Sequence, residues 1–452
     1  MKRVFVLAGA LFFVLASTLL AADEPSNVPK PIPATRPEMK AALEALKERE
    51  PRIPLPAPAG EGTSVGNGRL RADYLPEAWG GGGGLGARGQ NSHRGGRGPK
   101  GQDPDTRLNY LFEDTCFWVV SRGNNCHYCL GHQELKLRIG GMDDDTIAAL
   151  DSDWSRFDPR EQAALAFARK LTLDPELVGD ADVAKLKEVF SDPEIIELAF
   201  TIAQFNSMNR WTDGMGLPQE RRYGDEGEIK LTTPTSEQFQ HTKSIVIPTV
   251  RAPRPPLASI AQAQQAIAAS RSRSPRVALP SEADARQELA DVIGQREPFV
   301  WEWALAALPE NGKAHVKTWN TILTDDHLTP RLKAELTFIT AMNNQAWYAA
   351  AHATHRLKQL GVSPEDLTSL LGDQEPPLGG AAAAYHLAAK STTDPHLITD
   401  ADIAHVREHF SDQETAEIMQ VICLANLFDR FTESLGLPVE PGIADGESLP
   451  QR

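Results

Sequence analysis

The sequence is short of cysteine, of basic charge and of long apolar runs, and each shortage removes a class of protein. Four cysteines in 452 residues (Cys116, Cys126, Cys129 and Cys423) are too few to staple a disulfide scaffold. The 46 Lys and Arg are outnumbered by 61 Asp and Glu, a net charge of -15. Binders of bulk nucleic acid are normally basic, so that class is set aside. Beyond residue 22 no apolar run is long enough to span a bilayer. Alternating strands of useful length are missing too. A run of five glycines at 80–84 lacks both a preceding strand and a following Gly-Lys-Ser/Thr, so it is a poor phosphate loop. Apolar residues are not in short supply. At 41% of the chain they suffice for more than one core and exclude whole-chain disorder.

Lys2 and Arg3 precede an uncharged apolar stretch from Val4 to Ala22. This reads as a secretory signal peptide over 1–22, with an uncleaved membrane anchor as the alternative. Either form places the body of the protein outside the cytoplasm, in the periplasm or cell envelope. Residues 23–105 are rich in Pro, Gly and Arg and are expected to be disordered, with one short helix near Pro37 to Glu48. Residues 219–297, rich in Pro, Ser, Thr and Gln, are expected to be a flexible linker, and 439–452 a tail.

Between these stretches lie two copies of one pattern, offset by 220 residues. From Lys170 to Pro218, 22 of 49 positions are identical to Lys390 to Pro438. The copies also share Asn124 with Asn344, Tyr128 with Tyr348, His132 with His352 and Gly141 with Gly361. PRIPLP at Pro51 and PRVALP at Pro275 resemble a common lead-in at a slightly different offset. Val183, Leu186, Val189 and Phe190 follow helical spacing after Asp180 or Asp182, either of which can cap a helix. Ser191 with Pro193 and Glu194 marks another helix start. The expected fold is all-α: two tandem helical bundles, over 106–218 and 298–438.

Chemistry concentrates in Glu113 to Gly141 of the first copy. Cys126 and Cys129 form a Cys-x-x-Cys, and residues three apart share a helix face. A cap at Asn124 or Asn125 would put Cys126 in the first turn, where free N–H groups favour a thiolate. His132 lies one turn beyond Cys129, His127 lies between the cysteines, and Glu113 and Asp114 belong to the preceding helix. Three readings stand: a redox dithiol, a metal site of Cys126, Cys129, His132 and a carboxylate, or a structural pair. A zinc site ordinarily needs a second ligand pair, and this block has no second Cys-x-x-Cys or His-x-x-x-His. Cys116 and Cys423 read as core. The second copy has Ala346 and Ala349 in place of the dithiol and Trp347 in place of His127, and Glu335 aligns with Thr115.

The segment NNCHYCLGHQELKLRIGG, with an acidic residue one helix earlier, and the later FNSMNRWTDGMGLP resemble the AhpD-like / carboxymuconolactone decarboxylase family. The resemblance spans Thr106 to about Pro218 and again Pro298 to Pro438. It implies an all-α fold that assembles as trimers or larger rings, and alkylhydroperoxidase activity with a Glu and a His as proton relay. Carried over, Cys129 is the peroxidatic thiol, Cys126 its partner, and Asp114 stands where the family has Glu. The family histidine falls seven residues after the first cysteine, where this chain has Gln133. His132 is one residue early, a turn of about 100° on a helix.

The expectation is therefore an exported, thiol-dependent hydroperoxide reductase with Cys126, Cys129, His132, Glu113, Asp114 and His127 at its site. It needs no cofactor and no metal. Its partners are a hydroperoxide substrate and a protein dithiol reductant, and the two copies pair as an intramolecular pseudo-dimer or within a homo-oligomer. The alternatives are a lactone decarboxylase-like acid–base enzyme and a non-catalytic helical scaffold.

Overall fold

The structure, a computed structural model, describes residues 26–57, 66–79, 106–223, 226–248, 254–324, 327–370 and 380–444. The expected signal or anchor over 1–22 and most of the Gly/Arg-rich stretch lie outside the described residues. Among those described, helices dominate, the one sheet is a two-residue ribbon, and no helix is long and apolar enough to cross a membrane. The fold is all-α.

The helices of the first repeat are α1 (Arg36–Leu46), α2 (Gly66–Tyr74), α3 (Tyr110–Gly123), α4 (His127–Ile139), α5 (Asp144–Ala149), α6 (Pro159–Leu173), α7 (Asp180–Lys187) and α8 (Asp192–Gly214). A short α9 (Glu237–His241) follows. Then come α10 (Ile260–Ser270), α11 (Glu282–Ile293), α12 (Val300–Leu305), α13 (Pro309–Ile322), α14 (Pro330–Asn344), α15 (Trp347–Gln359), α16 (Pro364–Ser369), α17 (Gly380–Thr393), α18 (Asp400–Arg407), α19 (Asp412–Ser434) and α20 (Pro441–Ala444). The starts of α4 and α15, of α7 and α18 and of α8 and α19 are each 220 residues apart, the offset read from sequence.

Local chemistry sets these boundaries. Ser191 starts α8 with Pro193 in the first turn, and the Glu194 carboxylate accepts the Ser191 backbone N–H at 2.8 Å; Ser411 and Glu414 repeat this in α19. The α7 cap differs from expectation. Gly179 caps the helix, and Asp182 accepts the Gly179 N–H at 2.9 Å. Asn125 adopts φ 56° after α3, and the Cys126 N–H donates to the Ser121 carbonyl at 2.8 Å. This is a left-handed helix end of the kind asparagine tolerates. Gln345 (φ 51°) and Ala346 repeat it in the second copy.

The two long helices α8 and α19 are buried on nearly all sides and pack against each other more extensively than any other pair of described helices. Phe200 meets Phe431 edge to face at 5.7 Å between centroids. A Cβ on Gly214 would come within 2.6 Å of Met419 Sδ, so glycine permits the close approach. The buried Arg210 donates from Nε and Nη2 to the Ser391 and Thr392 carbonyls of the other repeat. The lead-ins cross over: Arg52 bonds Asp400 at 2.7 Å, and Arg276 bonds Asp180 at 2.7 Å.

Much of the sequence expected to be tether or linker is built into the bundles. Met39 and Leu43 of α1 are fully buried, and α1 packs on α4; α10 packs on α15 in the same way. Ile229, Leu231 and Val246, after the first bundle, are also buried. Composition concealed this, because the apolar residues involved are sparse and find their partners far away in the chain.

Candidate functional site

The left-handed turn at Asn125 makes Cys126 the N-cap of α4, so Cys129 rather than Cys126 falls in the first helical turn. Asn124 closes α3, and its amide donates to Asn206 Oδ1 and Asn209 Oδ1, both at 3.0 Å. The corner between the helices is thereby fixed to α8. Thr212, one turn beyond Asn209, lies within 3.2 Å of Cys126 Sγ and 3.5 Å of Cys129 Sγ. One hydroxyl thus meets both sulfurs. Both cysteines are free and buried, at 0% and 3% exposure. Burial pushes the Cys126 thiol well above its ordinary value, with Cys129 and Asp213 adding and Lys30 opposing.

His132 does not point its charge-bearing edge at a thiol. Nδ1 is 2.9 Å from the Tyr128 carbonyl and 3.3 Å from Gln219, and Nε2 is 3.5 Å from Glu220 Oε2. Glu220 Oε1 also accepts the Tyr128 hydroxyl at 3.0 Å and the Gly66 N–H at 3.1 Å. Burial lowers the His132 pKa, against the pull of Glu220. Tyr128 is held well above its usual range, first by burial and then by Glu220, and the charge of Cys129 also bears on it. A histidine, a tyrosine and a carboxylate are thereby joined in one cluster, and Tyr128 is the member on which the charge of Cys129 bears.

The other expected site residues make different bonds. Glu113 accepts the Thr201 hydroxyl at 3.2 Å. Asp114 lies near Tyr110 and Lys136, and burial pushes its carboxyl up to about 7. The carboxylate of the cluster is Glu220, which spacing within one helix pair did not suggest. Its signal is in the repeat: Gly-Leu-Pro-x-Glu occurs at Gly216–Glu220 and at Gly436–Glu440. His127 turns away from His132 and lines a cavity of about 360 Å³ with Lys30, Asp213 and Asp400. Burial, Lys30 and Arg122 lower its pKa to about 3, so it is neutral at ordinary pH. Cys116 and Cys423 are buried in the core.

The second repeat keeps the cluster. Tyr348 donates to Glu440 Oε1 at 2.6 Å, His352 Nε2 is 3.0 Å from Glu440 Oε2, and the Val300 N–H donates to Glu440 at 2.7 Å. Burial would raise the Glu440 carboxyl, but His352 and Tyr348 hold it below the usual range. Where the thiols would be stand Ala346 and Ala349.

No family model matches the chain. Uncharacterized protein YdfG of Bacillus subtilis (strain 168) is 31% identical over 101 residues, covering 22% of this chain and 68% of that protein. Among solved structures, the debrominase Bmp8 in complex with 2,3,4-tribromopyrrole aligns at 15% identity and TM-score 0.31, over 36% of this chain and 86% of that one. An uncharacterized peroxidase-related protein from Silicibacter sp. TM1040 aligns at 20% identity and TM-score 0.32, over 37% and 88%.

Proposed function

The chain belongs to the family of the uncharacterized protein YdfG, whose name states no activity, and we propose its function from the site itself: a thiol-dependent hydroperoxide reductase of AhpD-like type, acting in its first repeat. The observation that carries this is the pair of sulfurs meeting on one hydroxyl, Thr212, at the start of a helix whose Tyr128 and His132 are joined to Glu220. The resemblance of the Cys-x-x-Cys segment to the AhpD-like family supports the same reading. The tandem copies, one with the dithiol and one without, belong to the proposal, as does export by the first 22 residues.

In the proposed cycle the Cys129 thiolate attacks one peroxide oxygen of ROOH. The O–O bond breaks, Cys129 becomes a sulfenic acid, and the alkoxide takes a proton to leave as an alcohol. Cys126 attacks the sulfenic sulfur, a disulfide forms and water leaves. A dithiol then returns both thiols by exchange. The first step needs a base for the thiol and an acid for the alkoxide. We assign that relay to Tyr128, His132 and Glu220, with Tyr128, on which the charge of Cys129 bears, as its link to the thiol. Their hydrogen bonds make them one unit, so loss of Glu220 frees both the ring and the phenol.

The test is turnover of cumene hydroperoxide with dithiothreitol by the full chain and by Cys129→Ser and Cys126→Ser. Hydroperoxide-dependent oxidation of the dithiol by wild type, lost in both variants, is expected. Equal rates in wild type and Cys129→Ser would overturn the proposal.

A further inference from the structure

The second repeat holds a cavity of about 610 Å³, in the range of small-molecule sites. Comparison of the repeats shows how it arises. In the first, Phe117 and Phe205 stack at 3.9 Å with rings 1° from parallel. Their counterparts at the 220-residue offset are Thr337 and Ala425, and Cys129 corresponds to Ala349. All three small residues line the cavity. Two phenyl rings and a thiol have been traded for space on a frame otherwise maintained.

The space is furnished rather than left plain. Met208 becomes Phe428, which stacks on Trp319 at 4.3 Å, and Trp301 meets the same ring edge-on at 5.3 Å. Leu135 becomes His355, and Asn209 becomes Asp429. Arg356 stands at the wall, and among the described residues no other Lys or Arg lines the cavity. His352, backed by Glu440, faces in from the cluster described above. An apolar pocket with aromatic walls and a single guanidinium suits a flat apolar body carrying one anionic group.

We propose that the second repeat binds a small aromatic carboxylate, its ring against Phe428 and Trp319 and its carboxylate on Arg356. The other carboxyl at the wall does not repel such an anion. Burial pushes Asp429 up to about 8, which favours its uncharged form near neutral pH. This site is separate from the dithiol and stands whether or not the first repeat reduces peroxides.

The experiment is calorimetric titration of the full chain with 2-naphthoate and with its uncharged analogue 2-naphthamide. Wild type is expected to bind naphthoate saturably and about tenfold or more tighter than the amide, the effect of one charge-assisted pair. Arg356→Gln is expected to abolish that preference while keeping amide binding. Ala425→Phe, restoring the ring of the first repeat, is expected to weaken both ligands about tenfold or more and to leave hydroperoxide turnover unchanged. Three results would each overturn the proposal: no saturable binding of naphthoate by wild type up to millimolar concentration, an unchanged preference in Arg356→Gln, or unchanged affinity in a folded Ala425→Phe. Arg356→Gln decides alone if Ala425→Phe does not fold, since Arg356 is only half-buried.

Discussion

Single side chains decide the chemistry, and the first prediction concerns the two sulfurs. Cys126 and Cys129 lie close enough to share one hydroxyl, so a mild oxidant should join them in a disulfide and a dithiol should release it. Mass spectrometry after alkylation, before and after reduction, reads this directly; two free thiols after oxidant would refute it. Glu220 makes a second case. Glu220→Gln leaves the charge balance of His132 and Tyr128 altered and should lower hydroperoxide turnover about tenfold or more, within the range of a proton relay, with the dithiol still oxidisable. A rate equal to wild type would remove Glu220 from the relay. Asp429 gives a pH signature. Burial pushes its folded carboxyl up to about 8, over the opposing Asn344 hydrogen bond. An unfolded carboxyl loses its proton near pH 4. Between these values the folded chain binds the extra proton, so Asp429 makes stability fall as pH rises from about 4 to about 8, then level off. Asp429→Asn, the residue of the first repeat, should reduce that fall by on the order of a few kcal/mol in urea titrations at pH 5 and 8. An unchanged difference between the two pH values would contradict it.

At the scale of elements, the strap Val28–Pro33 is bonded across the corner that carries Cys126. Its Pro31 carbonyl accepts the Asn125 amide at 3.1 Å, its Pro33 carbonyl accepts Arg122 Nη2 at 2.8 Å, and Lys30 pairs with Asp213 at 2.8 Å. These bonds tie it across the corner that carries Cys126. Deleting residues 26–33 should speed iodoacetamide labelling of native Cys126 about tenfold or more, since opening the strap is then no longer required. An unchanged rate would show that another path serves the thiols. Helix register was legible in the sequence because the 220-residue offset holds across the repeat, and Ser191 with Glu194 signalled its helix start. The position of Cys126 was harder to read. Asn125 takes a left-handed conformation, which moves the cysteine from the first turn to the cap. Nor did spacing reveal Glu220, whose partners His132 and Tyr128 are about ninety residues away. Glu113 and Asp114 had the right distance along the chain, yet their side chains join other networks. The cavity is visible in Thr337 and Ala425 only when α14 and α19 are known to face each other.

For the molecule as a whole, the question is why a repeat without thiols is kept on the same chain. Two answers have separate support: its cavity, and the face it offers to the first repeat. The buried surface between α8 and α19 includes Phe200, Phe431, Met419 and Arg210, all nearly inaccessible to solvent. A repeat alone would expose these apolar side chains, each worth about 1.5–3 kcal/mol when buried, and would strip Arg210 of the two carbonyls it reaches in the other repeat, its bonds to Asn206 of its own helix remaining. Of the crossed pairs, Arg276–Asp180 adds orientation more than energy, because Asp180 is 92% exposed on its side chain. Joining the halves in one chain keeps the local concentration of each near its partner in about the millimolar range, which favours pairing within the chain over assembly with others. The fragments 26–253 and 254–452, expressed separately, should therefore each melt at lower temperature than the full chain or self-associate. Mixed, they should form a one-to-one complex by analytical ultracentrifugation. Two monomeric fragments, each as stable as the full chain and indifferent to the other, would show that the repeats are independent bodies and that the α8–α19 contact contributes nothing to stability.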